Sequence, residues 1–166
     1  MNSDLNIVLV GMSGCGKTTI GELLAKELNK SFIDVDQYVE KQQGKTIPEI
    51  FKNGEAFFRE IESNAVVEVS QKKGNVISTG GGVIKIEANM VELSKNSIII
   101  FIDRPIDKIL ADIDDTSRPL IKNNKSYLYD LHKERYPLYK KFSDYTVVND
   151  SSEEEVLNRI VEICLR

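Results

Sequence analysis

Residues 5–19, Leu5-Asn-Ile-Val-Leu-Val-Gly-Met-Ser-Gly-Cys-Gly-Lys-Thr-Thr19, decide how the rest of the chain is read. An apolar run from Ile7 to Val10 breaks into Gly11-x-x-Gly14-x-Gly16-Lys17-Thr18, and a helical pattern starts at Ile20. A strand, a glycine loop ending in Gly-Lys-Thr and then a helix is the signature of a phosphate-binding loop. Glycines let the backbone approach phosphate oxygens closely. The amides then form an anion nest at the positive end of the following helix. In such a loop Lys17 reaches the β- and γ-phosphates, and the Thr18 hydroxyl holds Mg²⁺. An ordinary glycine turn is the competing reading, but it leaves the register of strand, loop, Lys-Thr and helix unexplained.

The bulk properties narrow the classes. A chain of 166 residues fits one domain with a sizeable core. Hydrophobic residues make up 41% and charged ones 29%, an ordinary globular balance. The net charge of −4 supplies no basic field for nucleic acid or acidic lipid, so an anionic substrate must be caught by a few placed arginines. Cys15 and Cys164 make no disulfide framework. The first residues lack the regions of a signal peptide, and no apolar stretch approaches the ~20 residues that span a bilayer. The expectation is a cytoplasmic monomer, with no exposed apolar stripe and neither nucleic-acid nor membrane partners.

Strand-like runs alternate with helical patterns along the whole chain. Helical periodicity is expected at about 17–29, 37–43, 47–53, 55–73, 105–111, 125–141 and 152–165. Strands are expected at Ser31–Asp36, Asn75–Thr79, Ile98–Ile102 and near 144–149. Residues 112–124 are polar and without clear period. The alternation predicts an α/β fold, a parallel sheet with helices on both faces, whose ligands lie beyond the carboxyl ends of the strands. That rule groups Gly11–Thr18, Asp34, Asp36 and Gly80–Gly82 on one rim.

Phosphate loops serve GTPases, ATP-driven machines and small kinases. No Asp here has Gly three residues later, and Asn124-Lys125-Ser126-Tyr127 ends in Tyr where a guanine reader needs Asp. A mechanical ATPase usually needs a longer chain. A small-molecule kinase remains, and it needs an acceptor site beside the γ-phosphate. Asp34 and Asp36, two apart at a strand end, are expected on one face, one serving Mg²⁺ and the other the acceptor hydroxyl. Capping of the next helix is the alternative. Arg59, beside Phe57 and Phe58, and Arg135 in Arg135-Tyr-Pro-Leu-Tyr139 suit a carboxylate held by two-pronged contacts. Gly80-Gly81-Gly82 can offer amides, or can be a plain turn. The apolar strand ending at Asp103 offers a rival metal ligand, although Asp103 precedes Arg104-Pro105 and is expected to cap the next helix. His132 reads as structural. Cys15 sits where thiolates are favoured, so alkylation blocked by MgATP is one expectation and a tolerated small residue the other.

Together these pieces resemble the shikimate kinase family over nearly the whole chain. The matching stretches are Gly11-Met-Ser-Gly-Cys-Gly-Lys-Thr18, Phe32-Ile-Asp-Val-Asp36, Phe58-Arg59-Glu-Ile-Glu62, Ser78-Thr-Gly-Gly-Gly-Val83, Arg118-Pro-Leu120 and Arg135-x-Pro-Leu-Tyr139. The resemblance implies a three-layer P-loop kinase fold with a five-stranded parallel sheet, one domain over 1–166, and a mobile lid at about 112–124. It places the acceptor-binding helical region at about 36–62. It implies transfer of the γ-phosphoryl of ATP to the 3-hydroxyl of shikimate, toward chorismate and aromatic amino acids, with Mg²⁺.

By the same resemblance Gly11, Ser13, Gly14, Cys15, Gly16, Lys17, Thr18 and Thr19 bind ATP, and Thr18 and Asp34 hold the metal. Asp36, Arg59, Gly80, Gly81, Gly82 and Arg135 bind shikimate. Lys17, Asp36 and Arg118 are the catalytic set, with Arg118 on the lid, and residues near Asn149-Asp150-Ser151 edge the adenine. Many members carry an arginine on the helix before the lid, where this chain has Ala111 and nearby aspartates. The rivals are a gluconate or nucleoside monophosphate kinase of the same fold, and a non-catalytic ATP-sensing module.

Overall fold

The computed structural model describes residues 4–112 and 125–166. Five parallel strands form one sheet in the order β2-β3-β1-β4-β5. The strands are β1 (Asn6–Val10), β2 (Ser31–Asp34), β3 (Asn75–Ser78), β4 (Ser97–Asp103) and β5 (Tyr145–Val148). In register, Val8 faces Ile77 on one side and Ile99 on the other. Every residue of β1 is buried, which a strand achieves only when both faces of its sheet are covered.

Among the described residues eight α-helices connect these strands: α1 (Lys17–Glu27), α2 (Val35–Gln43), α3 (Ile47–Phe51), α4 (Glu55–Ser70), α5 (Glu87–Ser94), α6 (Ile106–Asp112), α7 (Lys125–Phe142) and α8 (Glu153–Leu165). Helix α1 packs on β2, β3 and α8, while α4 packs on α5, and α5 on β4. No helix among the described residues is long and apolar enough to cross a membrane.

Topology places the cleft. From β1 the chain moves toward β2, and from β4 it moves toward β5, so connections leave these neighbouring strands in opposite directions. A crevice therefore opens at their carboxyl ends. Local signals set the elements around it. Thr46 and Glu49 form a reciprocal capping box at the start of α3. Ser152 caps α8 by accepting the Glu155 N–H.

Three expectations need correction. Asp36 is not on a strand: β2 stops at Asp34, whose carboxylate accepts the Gln37 N–H and so starts α2 with Asp36 in its first turn. Helix α4 ends at Ser70 rather than near 73, and α5 was not expected at all. The expected lid and Arg118 lie outside the described residues, apart from Asp112, which ends α6.

Candidate functional site

Gly16 takes a left-handed φ of 100° at the N-cap of α1, which turns the loop after β1 into the helix. The loop, Asp34, Thr79, Gly80, Gly81, Arg104, Asp112, Asn149 and Ser151–Glu153 wall a cleft of about 700 Å³. Its floor has the expected residues: Ser13, Gly14, Gly16, Lys17, Thr18 and Thr19 all line it. Gly11 and Cys15 lie behind the wall and act through their carbonyls. The Gly11 carbonyl accepts from Lys17 Nζ at 2.7 Å, and the Cys15 carbonyl accepts from Asn149 Nδ2 at 2.8 Å.

Lys17 is nearly buried, with Nζ also donating to the Met12 carbonyl at 2.9 Å and standing 3.7 Å from Cys15 Sγ. Its ammonium is thus folded onto the loop that it serves. The Cys15 side chain is fully buried behind the loop, as a small packing residue would be.

At the mouth of the loop the Thr18 hydroxyl donates to Asp34 Oδ2 at 2.9 Å. Its other oxygen accepts the Gln37 N–H and caps α2, so the capping reading of Asp34 holds. Asp103 does not follow its expectation. Its carboxylate accepts from the Tyr136 hydroxyl at 3.1 Å, and Tyr136 in turn packs against His132. That contact explains the bland role of the histidine.

A second cavity of about 410 Å³ adjoins the first. Its polar lining is Asp36, Arg59, Glu62, Gly80–Gly82 and Arg135, and its apolar wall is Ile47, Pro48, Phe51, Phe58 and Leu131. Phe51 stacks on Phe58 with ring centroids 4.4 Å apart, which ties α3 to α4. Arg59 stands over Gly82 so closely that a side chain there would have to displace the guanidinium from its place in the pocket. Ser13, Asp36, Gly80 and Gly81 line both cavities, so the two open into each other at Asp36.

The electrostatics of that junction are asymmetric. Burial, and then the charge of Asp34, push the Asp36 carboxyl above its ordinary value, while Lys17 and Arg59 pull it back in part. Glu62 is raised by burial as well, although Arg59 Nη1 donates to it at 2.7 Å. Glu62 Oε2 is buried with no hydrogen-bond partner among the described residues. Arg59 also meets Glu55 at 3.4 Å, and Glu55 in turn takes Lys85 at 2.8 Å.

Sequence reasoning missed two contributors. Glu62 belongs to the Phe58–Glu62 stretch, and its i,i+3 spacing from Arg59 on a helix is the signal that marks it. Arg104 lines the first cleft, paired with Asp112, and gave no local signal. Of the expected adenine edge, Asn149 and Ser151 line the cleft, whereas Asp150 pairs with Arg159.

The profile of the shikimate kinase family matches residues 13–165. A shikimate kinase of Clostridium botulinum (strain Alaska E43 / Type E3) is 49% identical over 159 residues, covering 96% of each chain. One from Caldanaerobacter subterraneus subsp. tengcongensis is 42% identical over 166 residues, covering 97% of this chain and 96% of its own. Among solved structures, the shikimate kinase from Acinetobacter baumannii in complex with shikimate superimposes with a TM-score of 0.90 at 36% identity, covering 97% of this chain and 93% of its own.

Proposed function

The chain belongs to the shikimate kinase family, and from that membership we propose that it transfers the γ-phosphoryl group of ATP to the 3-hydroxyl of shikimate, giving shikimate 3-phosphate and ADP. The observation that carries this reading is the junction at Asp36, where a phosphate-loop cleft meets a pocket holding two arginines. Arg59 and Arg135 hold the acceptor carboxylate, and the apolar wall takes the hydrocarbon part of its ring. The triphosphate tail rests on the loop amides. Asp36 orients the acceptor hydroxyl and takes its proton as the oxygen bonds to the γ-phosphorus and the β,γ-bridging oxygen leaves with ADP. Lys17 follows the γ-phosphoryl group and offsets its charge.

Thr18 and Asp34 fit Mg²⁺: they are two hard oxygen donors at the cleft, held 2.9 Å apart. No cluster of three or more His, Cys, Asp or Glu stands ready for a metal among the described residues, which suits an ion that takes its remaining ligands from water and phosphate. Held by Thr18 and Asp34, the ion would supply positive charge that offsets the charge developing on the transferring group. Arg118 is proposed as a further phosphate contact. The protein is proposed to be a cytoplasmic monomer without nucleic-acid or membrane partners.

Two experiments address this reading. In a coupled ADP-release assay shikimate is expected to be phosphorylated while gluconate and nucleoside monophosphates are not. The Arg59→Ala variant should raise KM for shikimate by roughly a hundredfold, the scale of removing one partner from a buried charge pair, with KM for ATP kept. Equal losses for both substrates would place Arg59 outside the acceptor pocket. For the metal, Asp34→Asn is expected to raise the Mg²⁺ concentration needed for half-maximal rate, and Asp103→Asn to leave it unchanged. A metal defect confined to Asp103→Asn would refute the assignment.

A further inference from the structure

We propose that Tyr139 is a positioning residue for the acceptor, fixing the Gly81–Gly82 peptide so that the Gly82 N–H points into the shikimate pocket. The proposal rests on the reading of that pocket as the shikimate site. Tyr139 lines neither cavity: it is fully buried beneath them on α7, one helical turn beyond Arg135. Its ring stacks on Phe101 of β4 with centroids 5.0 Å apart, while the hydroxyl is held by contacts of its own. That hydroxyl donates to the Gly81 carbonyl at 2.5 Å and lies 3.7 Å from Met12 Sδ. One oxygen therefore touches the triple-glycine turn and the phosphate loop at once.

The polarity of the bond is settled by the neighbours. Burial holds the phenol far above its ordinary value, so it keeps its proton at physiological pH. Arg135 faces the same oxygen and has only donors to offer. Of the two acceptors in reach, the Gly81 carbonyl is nearer and stronger than the Met12 thioether, so it takes the phenol proton. No peptide bond among the described residues is cis, so the Gly82 N–H points opposite to that carbonyl, away from buried Tyr139. Gly82 lines the acceptor pocket, and its N–H has no acceptor among the described residues. A donor held this way is available to an oxygen of the acceptor.

The test compares Y139F, which keeps the stacked ring and removes only the hydroxyl, with Phe101→Leu, which loosens the ring and keeps the hydroxyl. Kinetics and calorimetric titration with shikimate are expected to show KM and Kd for shikimate raised roughly tenfold in Y139F, the scale of a lost buried hydrogen bond, with KM for ATP within about twofold. Phe101→Leu is expected to lower Tm and leave KM for shikimate unchanged. Parental shikimate binding in Y139F, or the same KM rise in both variants, would overturn the proposal. Should Y139F not fold, 3-fluorotyrosine at position 139, a stronger donor of the same shape, is expected to tighten shikimate binding; an unchanged Kd would then overturn it. If the parent protein leaves shikimate unphosphorylated, the functional reading fails instead.

Discussion

Asp36→Asn is expected to lower kcat by about three orders of magnitude while raising Tm at neutral pH. The first effect follows from position. Among the described residues Asp36 is the one carboxylate that lines both the nucleotide cleft and the acceptor pocket, and a placed general base contributes roughly 10²–10⁴ in rate. Asparagine keeps a hydrogen-bond acceptor of the same shape and loses the capacity to take the proton. The second effect follows from the direction in which Asp36 is shifted. Its carboxyl is raised by burial and by Asp34, so the folded state prefers the protonated form. An acid raised on folding costs stability progressively as pH climbs from its unfolded value through its folded one, and the full cost is present above both. Asparagine carries no such cost at neutral pH. The Tm advantage of the variant should therefore shrink as the pH falls into the carboxylate range. Thermal melts of both proteins across that range, beside kcat at neutral pH, decide the matter. A variant that is both slow and less stable at neutral pH would show that Asp36 is a structural anchor.

The same residues show what was legible in the sequence. The phosphate loop, the Asp34–Asp36 pair and the triple glycine could be placed on one rim because each follows a parallel strand, and parallel strands end on the same side. The position of Asp36 in a helix was missed because the two-residue alternation of a strand continues into it. Only the Gln37 N–H bond to Asp34 reveals that the strand has already stopped. Helix α5 was missed for a related reason: it begins after Ile86 with no side-chain cap, which leaves Glu87 in the first turn as a weak start signal. Arg104 and Tyr139 owe their roles to tertiary neighbours. Tyr139 meets Gly81 across 58 residues, and no spacing within α7 encodes that meeting.

Replacement of Lys17 by methionine is expected to cut kcat by about a thousandfold, with KM for ATP changed only a few-fold. The ammonium lies on the Gly11 and Met12 carbonyls, at 2.7 and 2.9 Å, and must leave them to follow the phosphate. Part of its interaction with bound ATP therefore replaces contacts it already has, and contributes little to affinity. Its interaction with the moving phosphoryl group has no such counterpart, so its loss falls on the transition state, where one well-placed donor is worth about 10²–10³. A second consequence separates electrostatics from a mere gap in packing. Lys17 lowers the pKa of Asp36, so without it Asp36 should be harder to ionise. The acid limb of the residual kcat/KM profile in Lys17→Met should move to higher pH than in the parent. An unshifted acid limb would mean that Lys17 and the proton acceptor are not coupled, and that a group other than Asp36 takes the proton.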